Sequence, residues 1–288
     1  MTSTEGEWVL RGDSHYPCQF PKERFFARLI QEHTDVPVPW PYLLDTDRTI
    51  FGWAYILMPR MPGLQTSDPA VRAALSRQDQ LGIAAALGKT LAQLHDFEWA
   101  YHGEYEVESD GIVPHPRSWS AHVGAEIQEW PEQARAVTDR TPEEDVAWAH
   151  AVVAAGRDAL DVPFSASTLL HDYNYNNSVA TRGGDAWRIT GVFDLMEAAV
   201  GDGERDLCRQ TAMYLSQAPG LARAFVQAYL RDRGSRPGFA ERLSVYLLGE
   251  RIIVWGYGQR YPELEWWDRR LTFREWAEPF LNAIPTLL

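Results

Sequence analysis

The sequence predicts an α+β protein of two lobes, a small β-rich lobe over residues 1–60 and a larger, mainly helical lobe over residues 61–288. Three observations predict it. Short apolar runs with strand character crowd the first 60 residues. The Pro/Gly-rich break Pro59-Arg60-Met61-Pro62-Gly63 then ends that pattern. Beyond it, apolar residues recur mainly at helical spacing, with one β-rich insert between 168 and 193. A chain of 288 residues can bury a substantial core in such an arrangement.

Residues 7–11 read as a short strand ending in Arg11. Over 21–32, Phe25, Phe26, Leu29 and Ile30 recur at helical spacing, with Lys22 and Glu23 in the first turn. The run Val36-Pro37-Val38-Pro39-Trp40-Pro41 must be extended, because each proline restricts the residue before it. Tyr42–Leu44 and Gly52–Met58, separated by a polar turn, read as paired antiparallel strands. From about 79, Leu81, Ala84, Leu87, Leu91, Leu94 and His95 form one face of a helix. A Gly-, Pro- and His-containing loop is expected over 102–117, then helices at about 118–136 and 142–160. Thr141, Pro142 and Glu144 have the spacing of an N-cap, a first helical position and a capping-box partner. Strands follow at 168–170, 177–180 and 187–193, the last two joined by the turn 182–185. After Asp206 the pattern is helical to the end, with breaks expected at Pro219-Gly220, Gly234–Gly238, Gly256–Pro262 and Pro279.

Composition excludes several classes. A net charge of −13 opposes nucleic-acid binding, which needs a basic surface. It suits either a cationic ligand or simple solubility. No apolar run approaches the length of a membrane span. Cys18 and Cys208 lack metal-ligand spacing and read as reduced thiols of a cytoplasmic protein. Only Lys22 and Lys89 are lysines, so a phosphate-pairing cation here is expected to be an arginine.

The densest chemical signal is Leu169-Leu170-His171-Asp172-Tyr173-Asn174-Tyr175-Asn176-Asn177, followed by Gly191-Val192-Phe193-Asp194. An acid at a strand end, an amide five residues later and a second strand-end acid have a spacing that phosphoryl transfer uses. Asp172 would orient a hydroxyl and accept its proton. Asn177 and Asp194 offer the oxygen donors that Mg²⁺ prefers. Asp and Asn in ordinary polar turns would give some of the same pattern. His102, His115 and His122 have no metal-site spacing.

With the tail Gly201-Asp202-Gly203-Glu204-Arg205-Asp206-Leu207, the segment resembles the aminoglycoside phosphotransferase and choline kinase family. Asn176-Asn177 and Glu197-Ala198 look most like its hygromycin phosphotransferase branch. The resemblance implies a bilobal protein-kinase-like fold and an ATP-dependent phosphotransferase acting on a hydroxyl of a small, cationic, aminoglycoside-like molecule. It implies Asp172 as base, Asn177 and Asp194 as Mg²⁺ ligands, and Asp206 as a carboxylate bracing the catalytic loop, with Asp202 and His171 structural beside it. Arg11 would pair with nucleotide phosphates and Glu23 would orient it, although a plain surface ion pair has the same spacing. Arg60 and Met61 lie in the segment that looks like the adenine-binding hinge. Glu263, Glu265, Trp266, Trp267 and Asp268 are candidates for the acceptor, where aromatic residues at helical spacing also read as core.

Two departures from the family pattern stand out. The family's histidine lies two residues before the catalytic acid, where this chain has Leu170, and His171 is adjacent to Asp172. Two strands and a glycine-rich phosphate lid normally precede the Val9-Leu10-Arg11 strand, and residues 2–7 look like only the end of the second strand and the turn into the third. This keeps a second expectation open: a non-catalytic or crippled small-molecule-binding protein on the same fold.

Overall fold

The computed structural model describes residues 2–3, 6–12, 14–135, 138–261 and 263–288. Its N-terminal part is an antiparallel sheet of β1 (Thr2–Ser3), β2 (Gly6–Gly12), β3 (Leu43–Asp45) and β4 (Tyr55–Pro59), in the order β1-β2-β4-β3. The expected pairing of the runs around 43 and 56 is found, with Leu44 opposite Ile56. The stretch read as a strand end and a turn gives β1 and the start of β2, with Ser3 opposite Gly6. Thr4 and Glu5 within it lie outside the described residues. Helix α1 (Gln19–His33) buries Phe20, Phe26 and Ile30 in one cluster with Ile56 and Met58 of β4.

After β4 comes α2 (Pro69–Ala74), whose N-terminus is capped by the Asp68 side chain accepting the Ala70 N–H. Helix α3 (Arg77–Leu94) starts on a capping box formed by Ser76 and Asp79. Next are β5 (Glu98–Trp99) and the hairpin β6 (Gly103–Glu106) with β7 (Gly111–Pro114). This hairpin replaces the loop expected over 102–117. Its strands are only four residues each, so alternation is weak as a signal. Helices α4 (Trp119–Arg135) and α5 (Glu143–Leu160) follow, close to their expected bounds. Thr141 does not cap α5, because Pro142 takes that place. Thr141 is buried instead, and its hydroxyl oxygen accepts the Trp255 indole N–H at 3.1 Å.

The central strands are β8 (Ala166–Leu169), β9 (Ser178–Gly183), β10 (Ala186–Val192) and β11 (Ala199–Asp202). β9 and β10 form a hairpin, and β8 and β11 lie in a five-stranded sheet of order β5-β8-β11-β6-β7. Helices α6 (Leu207–Leu215), α7 (Pro219–Arg233), α8 (Phe239–Arg260) and α9 (Phe273–Asn282) complete the chain. The expected break at Gly256 is absent, and α8 runs on to Arg260. Gly258 lets the Trp267 ring lie directly on the helix, so this glycine serves packing rather than termination. Pro279 sits inside α9, whose buried Phe273, Trp276 and Ala277 hold it to the core. Pro262 lies outside the described residues. Among the described residues no helix is long and apolar enough to cross a membrane.

Candidate active site

The site begins where β8 ends. β8 pairs antiparallel with β11, Leu169 opposite Ala199 and Ala166 opposite Asp202. This pairing brings the turn after β11, and with it Asp206, beneath the chain leaving β8. The two carboxylate oxygens of Asp206 accept the N–H groups of Leu170 at 2.6 Å and His171 at 2.8 Å. Asp206 is buried, so these two bonds pin the backbone immediately ahead of Asp172. His95, also buried, places Nε2 3.6 Å from Asp206, and its Nδ1 is 3.1 Å from the Tyr229 hydroxyl. Its role was not legible from its place on the apolar face of α3.

His171 adopts a left-handed conformation, φ 57°, which turns the chain sharply before Asp172. Loss of hydration lowers its ring pKa to about 4, so the ring is neutral near pH 7. Asp202 lies away from the Asp172 loop in a buried charge network. It accepts from the Tyr246 hydroxyl at 2.7 Å and from Arg236 at 2.5 Å, while Glu204 beside it accepts from Arg242 at 2.7 Å.

Asp172 is held from three sides. Asn177 Nδ2 donates to its carboxylate at 2.9 Å and to its carbonyl at 3.0 Å. Asn174 donates to the other carboxylate oxygen at 3.0 Å. Arg209 on α6, which the sequence reading did not single out, places Nε 2.9 Å from that same oxygen. The Arg209 Nη1 is 3.0 Å from Glu250 on α8. Burial raises the Asp172 pKa, against the opposing pull of Arg209 and the Asn177 hydrogen bond. The Asn177 carbonyl accepts the Phe193 N–H at 3.0 Å, which ties this loop to the end of β10.

Asp194 follows that end, also at positive φ, 66°. Arg11 from β2 reaches it, with Nη2 3.0 Å from Asp194 Oδ1. The Arg11 Nη1 is 3.3 Å from Glu23 of α1. Glu23 is fully buried and accepts the Leu195 N–H at 3.2 Å and the Tyr42 hydroxyl at 3.4 Å. Burial lifts its pKa to about 7, with Arg11 pulling the other way. Arg11, Glu23 and Asp194 therefore meet, though 183 residues separate the first from the last.

The hinge residues divide. The N–H of Arg60 donates to the Glu7 carbonyl at 2.9 Å, and its guanidinium to the Glu7 carboxylate at 2.6 Å, so its donors serve β2. The Met61 main chain has no such partner among the described residues, and its side chain packs against Gly191.

A cleft of about 570 Å³ opens over Asp172, lined by residues of α6, α8 and α9 and by Trp266. The acceptor candidates of 263–268 mostly point elsewhere. Trp266 lines the cleft. Trp267 stacks on Trp255 at 5.2 Å and packs on Trp276 at 4.7 Å as core. Asp268 is held by Arg270, and Glu263 and Glu265 are exposed away from the cleft. The loop is folded back by Arg269, which donates to the carbonyls of Gly258 and Leu264, so its acids face water.

The fold that carries these residues has known counterparts. The model of the phosphotransferase enzyme family matches residues 1–240, and the chain belongs to that family. A thermostable mutant of aminoglycoside phosphotransferase APH(4)-Ia aligns with a TM-score of 0.67 at 19% identity, over 96% of this chain and 86% of that one. Macrolide 2'-phosphotransferase MphH from Brachybacterium faecium gives 0.57 at 22% identity, over 98% and 87%. The GDP and kanamycin complex of APH(2")-IIia gives 0.64 at 15% identity, over 97% and 86%. At these identities the likeness establishes the two-lobed, kinase-like fold. No curated protein matches this chain.

Proposed function

We propose that the chain is an ATP-dependent phosphotransferase that moves the γ-phosphoryl group to a hydroxyl of a small molecule, with residues 1–60 as the nucleotide lobe and 61–288 as the catalytic and acceptor lobe. The observation that carries this reading is the junction at the end of β10. There Asp194, paired with Arg11, follows directly on the strand end bonded to Asn177, which itself holds Asp172.

In this reading Asp172 orients the acceptor hydroxyl and takes its proton. Its raised pKa makes it a stronger base than a solvated carboxylate, with Arg209 pulling the other way toward the charged form. Arg11, oriented by Glu23, is the phosphate-pairing cation, a part that phosphoryl transfer requires. The residues fit Mg²⁺. Asn177 spends its amide nitrogen on Asp172, which leaves the amide oxygen without a partner among the described residues, and Asp194 keeps Oδ2 beside the oxygen that Arg11 takes. One amide and one carboxylate suit a hard cation that completes its shell with phosphates and water. Bound there, Mg²⁺ would orient the phosphates and offset their charge. Met61 offers the hinge N–H to adenine. Neighbours solved with hygromycin B or kanamycin make a polyol a natural first acceptor probe. Two unpaired thiols, Cys18 and Cys208, favour cytoplasmic action.

The test is ADP release across an acceptor panel, with Asp172→Asn as control. A drop in kcat of about 10²–10⁴-fold is expected. Turnover unaffected by the change would remove Asp172 as the base.

A further inference from the structure

We infer that the acceptor bears an anionic group and an apolar face and is not a polycation, an inference that rests on the phosphotransferase reading of the same cleft. Besides Asp172, the charged side chains that line the cleft are Arg209 and Arg251. Each carboxylate at the cleft already faces a guanidinium. Asp172 meets Arg209, and buried Glu250 meets both Arg209 and Arg251. An ammonium-rich ligand needs unpaired acids, and the lining offers none. The acids of 263–268 are turned outward, and Asp268 is paired with Arg270. The adjoining groove between α4 and α8 is balanced too, with Glu126 and Glu129 beside Arg205 and Arg260.

Aromatic faces can host a cation, but Arg251 already occupies two of them. Its guanidinium lies 5.0 Å from the Trp276 ring centre and 4.6 Å from that of Phe280. The Arg209 Nη2 and Arg251 Nη1 have no hydrogen-bond partner among the described residues, which leaves donors at the cleft for a carboxylate. The rest of the lining includes an apolar, open stretch. Tyr257 and Trp266 stack at 5.7 Å while 49% and 52% exposed, beside Ile253. Large exposed aromatic faces in a cleft mark a binding surface for an apolar ligand face.

The experiment is a charge series on one scaffold: 4-(hydroxymethyl)benzoate, 4-(hydroxymethyl)benzamide and 4-(hydroxymethyl)benzylamine, with kanamycin as the polycation. Binding to the full chain is followed by tryptophan fluorescence without nucleotide. The benzoate is expected to bind roughly 10-fold tighter than the benzylamine, with the benzamide between them. Arg251→Gln is expected to erase that preference, and if this variant does not fold, the order in the unaltered protein decides. The inference is overturned if the benzylamine or kanamycin binds as tightly as the benzoate. It is overturned equally if the benzoate fails to saturate by about 20 mM, a generous limit for a fragment of this size. Melting with Mg-ATP in parallel separates the two readings. A nucleotide shift without the benzoate preference sinks this inference alone, and the preference without a nucleotide shift sinks the phosphotransferase reading.

Discussion

Asp206 touches no reacting atom in this arrangement, yet the position of Asp172 depends on it. Asp206→Ala would leave the Leu170 and His171 N–H groups without acceptors in a buried turn. Each unsatisfied group costs about 1–3 kcal/mol, so a loss of roughly 2–5 kcal/mol in urea unfolding is expected, together with a fall in kcat. A fall in kcat at unchanged stability would instead place Asp206 in the chemistry itself. Glu23 gives the pH dependence at this scale. Burial raises its pKa from 4.5 to about 7 in the folded state. The folded carboxyl therefore holds its proton more tightly than the unfolded one, and its contribution to stability is greatest below pH 4.5 and is lost as pH climbs to about 7. Function runs the other way, because the charged pair with Arg11 forms fully only above that pH. Mg-ATP affinity is expected to strengthen across roughly pH 6–8, and Glu23→Gln to flatten the profile. An unchanged profile in the variant would assign the titration to another group.

Between elements, α3 and α7 approach closely at Gly88, where an added Cβ would fall on the Phe225 carbonyl oxygen. Gly88→Ala raises intrinsic helix propensity, but the two backbones would have to part. A net destabilisation of about 1–3 kcal/mol is expected in the urea midpoint, and a gain in stability would show that the helices separate freely. What the sequence disclosed at this scale follows from how each element is held. α1 and α3 bury one face each, so their periodicity is written in Phe25, Phe26, Leu87 and Leu91. α2 buries no residue at all, and β6 and β7 are four residues each, so neither could announce itself through an apolar pattern. Thr141 has the chemistry of a cap and was read as one. Its hydroxyl went to Trp255, a partner 114 residues away that local spacing does not reveal.

Across the whole molecule the same division separates what spacing encodes from what packing decides. Asp172, Asn177 and Asp194 lie on one strand, turn and hairpin, so their grouping is local and readable. The opposing charges around Asp172 come from Arg209 on α6 and Glu250 on α8, and only the docking of those helices brings them there. The acids of 263–268 looked like a cation site because sequence gives residue type and not direction. The two parts of the chain are joined at the candidate nucleotide site by Arg11 with Asp194 and by the Val192 N–H on the Pro37 carbonyl. A ligand that holds both Arg11 and Asp194 should therefore stabilise the fold as one unit. At a hundredfold excess over Kd, Mg-ATP would add about 2.7 kcal/mol. At about 2–4 °C per kcal/mol for a chain near this size, the expected rise in Tm is roughly 5–10 °C. Asp194→Asn keeps the shape of the side chain but removes its charge from both Arg11 and the metal position, so it should abolish most of that rise. Full retention of the rise in Asp194→Asn would show that nucleotide binds elsewhere, because Asp194 is the carboxylate that Arg11 pairs with at the end of β10.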